Sequence, residues 1–268
     1  MTIYKGRVGC RDLAMLIHAI MLNEGYKEIS SEISNDGRVY KSPSVDGQDL
    51  FYVQIKDTRA VSLQVGVYEN YTPDLVNGIP GKFLNGIVGN SIIWNTTASP
   101  DRCDVNYIIN ATGKRVIVYV EGQRAEPASI NSITYIGLPN RVSDKDKLGT
   151  FAGLAYTAWG PYDNHSFFYS LRNRSNTPLF PYNMEFYMPR RSYGWGKKLF
   201  FSPIFIGSKA EGNRGSLDGI MIIEKTDASA EISHGDAFTH EGKNYMLVTP
   251  SSYSYDTLHT GYNYLIEI

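Results

Sequence analysis

Residues 105–120 read VNYIINATGKRVIVYV: an apolar run from Val105 to Ile109, the segment Asn110-Ala111-Thr112-Gly113-Lys114, and a second run from Arg115 to Val120. Two runs rich in Val, Ile and Tyr, joined by a short segment containing Gly, are the pattern of an antiparallel β-hairpin. Ile130 to Gly137 adds another strand after it. Working toward the N-terminus, Val61 to Tyr68 places Val61, Leu63, Val65 and Val67 on one face. Asp49 to Ile55 precedes it as its hairpin partner, with Lys56 to Arg59 as the turn. Tyr26 to Ile33 and Val39 to Lys41 flank Ser34-Asn35-Asp36-Gly37, which is turn chemistry because Asn and Gly accept positive φ cheaply. Tyr71 to Gly89 is rich in Gly, Pro and Asn and reads as a long surface loop.

One segment has helical period. Leu13, Leu16, Ile17, Ile20 and Met21 recur at three- and four-residue spacing, Asp12 favours a start and Gly25 a stop. This amphipathic helix is expected to pack on the first sheet. Pro139 to Leu148 carries mixed charges and reads as a connector, so residues 1–140 form a helix-plus-sheet domain and 141–268 a second domain. In the second half Ser166 to Leu171, Glu185 to Met188, Leu199 to Ile206, Gly219 to Glu224, Tyr245 to Thr249 and Tyr262 to Ile268 are short strand candidates. The expected class is mainly β (α+β), with the helix on an antiparallel sheet and a β-sandwich-like C-terminal lobe.

Composition narrows function. Lys plus Arg is 26 and Asp plus Glu 27, a balance that argues against a dedicated nucleic-acid binder. The longest apolar stretch, Leu13 to Leu22, is too short to span a bilayer and lacks the flanks of a signal peptide, so a soluble chain made in the cytoplasm is expected. Cys10 and Cys103 stand in no metal-like spacing; a disulfide between them is the alternative to the preferred reading of two buried or half-buried thiols. Twenty tyrosines suit strands that face a partner, though β-rich chains favour aromatics in any case.

The motifs for phosphate loops, dinucleotide folds, zinc proteases and serine hydrolases are absent. His234, Asp236 and His240 share parity in an extended strand and carry zinc-type ligands, but the span is roughly 20 Å at about 3.3 Å per residue. Neither a metal nor an organic cofactor is therefore expected. Pro189 to Lys198 interleaves four cations with Tyr193 and Trp195, as a base-stacking site could, but given the neutral whole-chain charge it reads as an exposed hairpin tip. Ser208 to Gly219 has the Gly and Asn of an anion nest but no following helix, so it reads as a loop. Asp101, Asp104, Glu121 and Glu126 flank the central hairpin and read as surface charge, not as a glycosidase pair. The Asn-x-Ser/Thr triplets at Asn95, Asn110, Asn164 and Asn173 read as chance.

Four pieces carry a resemblance. They are Gly6-Arg7-Val8 leading into the helix at Asp12 to Leu22 and Gly25-Tyr26; Ile92-Ile93-Trp94-Asn95 with Val105 to Ile109 and Gly113 to Val118; Ile133 to Leu138; and Gly235-Asp236-Ala237-Phe238 with Gly242 to Val248. In this order they resemble a tailed-bacteriophage virion structural protein of the tail, neck or baseplate. The pieces cover about half of the chain, and none is a catalytic signature. The resemblance implies a non-enzymatic virion component, present in several symmetric copies and bound to itself and to other virion proteins. A glycan-binding adhesion module of a phage particle, with Tyr and Trp stacking on host-surface glycan, is the alternative. Loops at Tyr71 to Phe83 and Tyr182 to Trp195 are long enough to need an ordering partner, so Tyr71, Arg190, Arg191, Tyr193 and Trp195 are the expected interface residues.

Overall fold

A computed structural model describes residues 1–9, 11–30, 37–43, 50–57, 62–72, 82–93, 104–122, 130–141, 152–157, 170–172, 178–181, 201–208, 212–224, 232–248 and 262–268. Among the described residues the protein is mainly β, with antiparallel sheets and one short helix. The chain enters through β1 (Thr2–Gly9) and α1 (Leu13–Asn23). It then builds an antiparallel meander of β2 (Lys27–Glu28), β3 (Arg38–Lys41), β4 (Tyr52–Asp57), β5 (Ser62–Thr72) and β6 (Lys82–Ile93). The central hairpin is β7 (Asp104–Ala111) and β8 (Arg115–Gly122), followed by β9 (Ile130–Gly137), β10 (Asn140–Arg141) and β11 (Ala152–Thr157). Next come β12 (Ser170–Arg172), β13 (Pro178–Pro181), β14 (Phe201–Ser208) and β15 (Gly212–Glu224). The chain ends in β16 (Ala237–His240), β17 (Lys243–Val248) and β18 (Tyr262–Glu267).

These strands make three stacked sheets. The middle one has the order β1-β7-β8-β9-β11. One of its faces, with Val105, Ile109, Val116, Val118 and Val120, shares a core with Leu13, Ile17, Ile20 and Met21 of α1 and with Val53, Ile55, Leu63 and Val65 of the meander. The opposite face, with Ile108, Ile117, Tyr119, Ile133 and Tyr135, packs on Ile220, Ile222, Tyr264 and Ile266 of the C-terminal sheet. A strand covered on both faces has no polar side to show, which is why Val116 to Val120 is apolar without a break. At about 25 cal/mol per Å² of apolar surface removed from water, burial on both faces stabilises the middle sheet twice over.

Local chemistry fixes the ends. After α1, Gly25 takes φ +87, Gly25 N donates to Leu22 O and Tyr26 N donates to Met21 O, both at 3.0 Å. Those two bonds form a Schellman cap, and the left-handed residue in it needs glycine. Asp12 stands at the start but makes no side-chain capping bond. At the central turn, Thr112 Oγ1 accepts from Lys114 N and Arg115 N at 3.1 Å. Glu241 and Gly242 join β16 to β17 with φ 50 and 77, a two-residue turn of the I′ kind. Glutamate is poorly suited to that position. Glu241→Asn is expected to raise stability by about 0.5–1 kcal/mol, and a lower thermal midpoint would contradict the turn assignment.

Several expectations are corrected. Of the expected surface loop Tyr71 to Gly89, residues 71–72 and 82–89 are strand: β5 runs to Thr72, and β6 pairs along it from Thr72↔Lys82 to Ser62↔Ile93, while residues 73–81 lie outside the described residues. Of Ser208 to Gly219, Ser208 ends one strand and Gly212 to Gly219 belong to the strand paired with it, with Ser208↔Gly212 and Phe205↔Ser216, while residues 209–211 lie outside the described residues. The expected boundary at 140/141 is crossed in both directions, because β10 pairs with β15 while β11 pairs with β9. The described C-terminal strands form one sheet, order β12-β13-β14-β15-β18-β17-β16, whose facing layer is the middle sheet. That sheet is strongly curled. Four strand steps separate β14 from β16, about 19 Å if flat, yet the Phe201 and His240 rings stack at 5.0 Å and Phe201 meets Phe238 at 5.9 Å. The curl encloses Met221, Ile223, Leu247 and Leu265.

Candidate functional site

The densest polar constellation among the described residues lies between the middle and C-terminal sheets. Arg115 opens β8 and its side chain is 3% exposed. Its Nε donates to Asp218 Oδ2 at 2.7 Å, Nη1 to Asn110 Oδ1 at 2.8 Å and Nη2 to Glu267 Oε2 at 3.3 Å. Asn110 Nδ2 donates onward to the backbone oxygen of Glu267 at 2.8 Å. Lys243 reaches Glu267 at 3.3 Å and Asp218 at 3.8 Å. Two cations thus meet two carboxylates, with asparagines completing the bonds. A buried guanidinium needs this kind of satisfaction, since an unpaired charge in the interior costs several kcal/mol.

The backbone is shaped around the guanidinium. Gly219 has φ +73, and a Cβ there would lie 2.3 Å from Arg115 Nη2. Only glycine gives both the conformation and the space. Asn110, one of the glycosylation triplets, is fully buried and committed to Arg115 and Glu267.

The electrostatics follow from the pairing. Burial pushes the Asp218 carboxyl up, but the charge and hydrogen bond of Arg115, with help from Lys243 and Asn140, outweigh it and hold it below its ordinary value. A depressed carboxylate contributes stability above its unfolded value of about 3.9, and loses it as pH falls through the lower folded value. Urea midpoints measured from neutral pH downward should therefore drop below about pH 4, and Asp218→Asn should flatten part of that drop. An unchanged acid limb in Asp218→Asn would remove Asp218 from the account. Desolvation lowers Lys243, but the Glu267 hydrogen bond and charge, with Asp218, raise it overall. Burial pushes the phenols of Tyr26, Tyr119 and Tyr135 up, so they stay protonated.

The sequence candidates are placed as follows. His234 lies 3.9 Å from Glu121 and against the Tyr119 ring, His240 stacks on Phe201, and Asp236 Oδ2 accepts from Ser233 N at 2.6 Å. The three side chains serve three separate neighbours, and among the described residues no three His, Cys, Asp or Glu converge on an ion position. Asp104 pairs with Arg7 at 3.0 Å. Tyr71 sits opposite Phe83 and is 4% exposed, so its ring is covered by the chain itself. Arg190, Arg191, Tyr193, Trp195, the cysteines, Asp101 and Glu126 lie outside the described residues, as do the other three glycosylation triplets. No described helix is long and apolar enough to cross a membrane.

No family model, curated protein or solved structure matches this chain. The resemblance to virion proteins rests on the sequence pieces alone.

Proposed function

We propose that the protein is a structural component of a tailed-phage virion, in the tail, neck or baseplate, working through contacts with its own copies and with other virion proteins. One observation supports this reading most: the buried Arg115 guanidinium spends its donors on Asp218, Asn110 and Glu267 and so joins two sheets, as a body that bears load through its neighbours requires. A catalytic centre needs groups aimed at a substrate. The alternative, a glycan-binding adhesion module, has its own observation in the half-buried Phe201, Phe238 and His240 at the seam of the curled sheet. Aromatic faces at such a seam suit sugar rings.

Mass spectrometry of purified particles, followed by particle reconstruction, tests the first reading. Several symmetry-related copies are expected. Absence of the chain from the particle, or one isolated copy without neighbours, would reject it. Retention on host-surface glycan that is lost in Phe201→Ala would promote the alternative.

A further inference from the structure

We propose that the outer face of α1 is a contact between copies of this chain: Met15, Ala19 and Leu22 of one copy pack, antiparallel and around a two-fold axis, on the same three residues of a second. The inference starts from composition. The eleven residues Leu13–Asn23 contain no Asp, Glu, Lys or Arg. A helix without a charged face is ordinarily enclosed on all sides, whereas a helix lying on a sheet turns its charged residues to water. α1 is enclosed on one side only. Leu13, Ile17, Ile20 and Met21 are buried, while Met15 is 51% exposed, Leu22 is 43% exposed and Ala19 is exposed between them. Two of the three exposed large hydrophobic side chains among the described residues thus stand in one stripe of one helix.

Spacing gives the stripe its shape. Positions 15, 19 and 22 recur at four and three, the spacing of a helix–helix seam. At about 100° per residue they fall within about 60° of one another, opposite the buried four. Ala19 makes a dent between two larger side chains, and Arg38 Nη2 donates to the Met15 sulfur at 3.5 Å, holding that side chain in place.

The face names its occupant. Reversed around Ala19, the order large, small, large is unchanged: Met15 of one copy meets Leu22 of the other, and Ala19 meets its own counterpart, as an isologous contact requires. No ionised side chain of the helix is brought against its like. The first turn carries no acidic residue and the last no basic one, so the helix's own side chains leave its dipole uncompensated. Antiparallel packing sets the positive end of each helix beside the negative end of the other. The pairing names one contact of the homo-oligomer reading above and rests on that reading. Size sets its strength. A stable interface takes about 800 Å² and about 20–30 residues from each partner, and three side chains supply a fraction of that. Two free chains therefore pair only near about millimolar concentration, and in a symmetric particle the contact adds to the others that hold the copies together.

A full-length Ala19→Cys variant reads the contact. Helices packed about 8–10 Å apart, with Cα atoms about 2.3 Å from each axis, bring two residues at position 19 near disulfide reach. One chain holds a single position 19, so a disulfide between two such cysteines is intermolecular whatever Cys10 and Cys103 do. At about millimolar chain under mild oxidant, that linked peptide should exceed the corresponding one in Ala237→Cys, an exposed alanine of β16, by about tenfold. Leu22→Lys added to Ala19→Cys should return the yield to the Ala237→Cys level. Leu22 is exposed and a cation suits the last turn of a helix, so the fold survives that change. Linkage at the Ala237→Cys level, or an excess that Leu22→Lys leaves unchanged, overturns the α1 contact. Symmetric copies in the particle reconstruction would then keep the homo-oligomer reading standing, and their absence would remove that reading as well. If Ala19→Cys lacks the native circular dichroism, the unaltered chain answers the same question. The methyl resonance of Met15, assigned from its loss in Met15→Leu, should move as the chain is raised from about 10 μM to about 1 mM, and a constant position overturns the contact. A resonance indifferent to concentration but moved by phosphatidylcholine vesicles would give the stripe to a lipid surface and overturn the contact equally.

Discussion

Arg115→Ala is expected to destabilise the protein by about 3–5 kcal/mol, the range for removing one partner of a buried ion pair. The loss has three parts. The only cation left to Asp218 and Glu267 among the described residues is Lys243, whose side chain is 48% exposed and whose pull is screened by water. The Asn110 side-chain oxygen loses its donor inside the protein. The space held by the guanidinium against Gly219 opens as a cavity. Domains are stable by about 5–15 kcal/mol in all, so such a loss would bring this one near its limit. The measurement is a urea unfolding midpoint at constant slope. Arg115→Met in an Asp218→Asn/Glu267→Gln background should recover much of the loss, because it removes the stranded charges together with their partner. A fall below about 1 kcal/mol for Arg115→Ala, the size of a surface pair, would mean that the constellation does not bind the two sheets.

What could be read ahead of the structure was whatever is local. The central hairpin announced itself because β7 and β8 are adjacent in sequence and their turn is written in Thr112-Gly113. The two-residue turn at Glu241-Gly242 is local in the same way, joining strands that are neighbours in sequence. β1 was not legible, since Gly6 and the cations Lys5 and Arg7 spoil its pattern. Its partner β7 is about a hundred residues away, and Tyr107 of that partner covers the bare backbone at Gly6. β6 failed similarly: Lys82–Ile93 is interrupted by Asn85, Gly86, Gly89 and Asn90, and pairing with β5 makes it a strand. The Arg115 constellation joins positions 103 and 152 residues apart. A sequence offers one hint of it, that Arg115, Asn110 and Glu267 each interrupt or border an apolar strand. Nothing in that hint says the three meet.

Leu13→Ala is expected to cost about 2–5 kcal/mol, the range for deleting a large buried aliphatic side chain, and Leu16→Ala distinctly less. The apolar stripe of α1 alone does not separate these two residues; the packing does. Leu13, Ile17, Ile20 and Met21 are buried in the core shared by the helix, the meander and the middle sheet, whereas Leu16 is half-buried and packs on its border. The helical wheel explains the difference. At about 100° per residue, Leu16 lies about 85° from the centre of the arc those four residues define, where one flank meets solvent. Truncation at Leu13 removes atoms enclosed by protein and leaves a void that the three surrounding elements cannot all relax into. Truncation at Leu16 opens a surface dent that water fills. Both losses should appear in urea midpoints at constant slope, and Met15→Ala, on the exposed face, should fall within about 0.5 kcal/mol of the unaltered chain. Equal losses at Leu13 and Leu16 would mean that α1 is rotated on the sheet, and with it the seat of every residue that the helix buries.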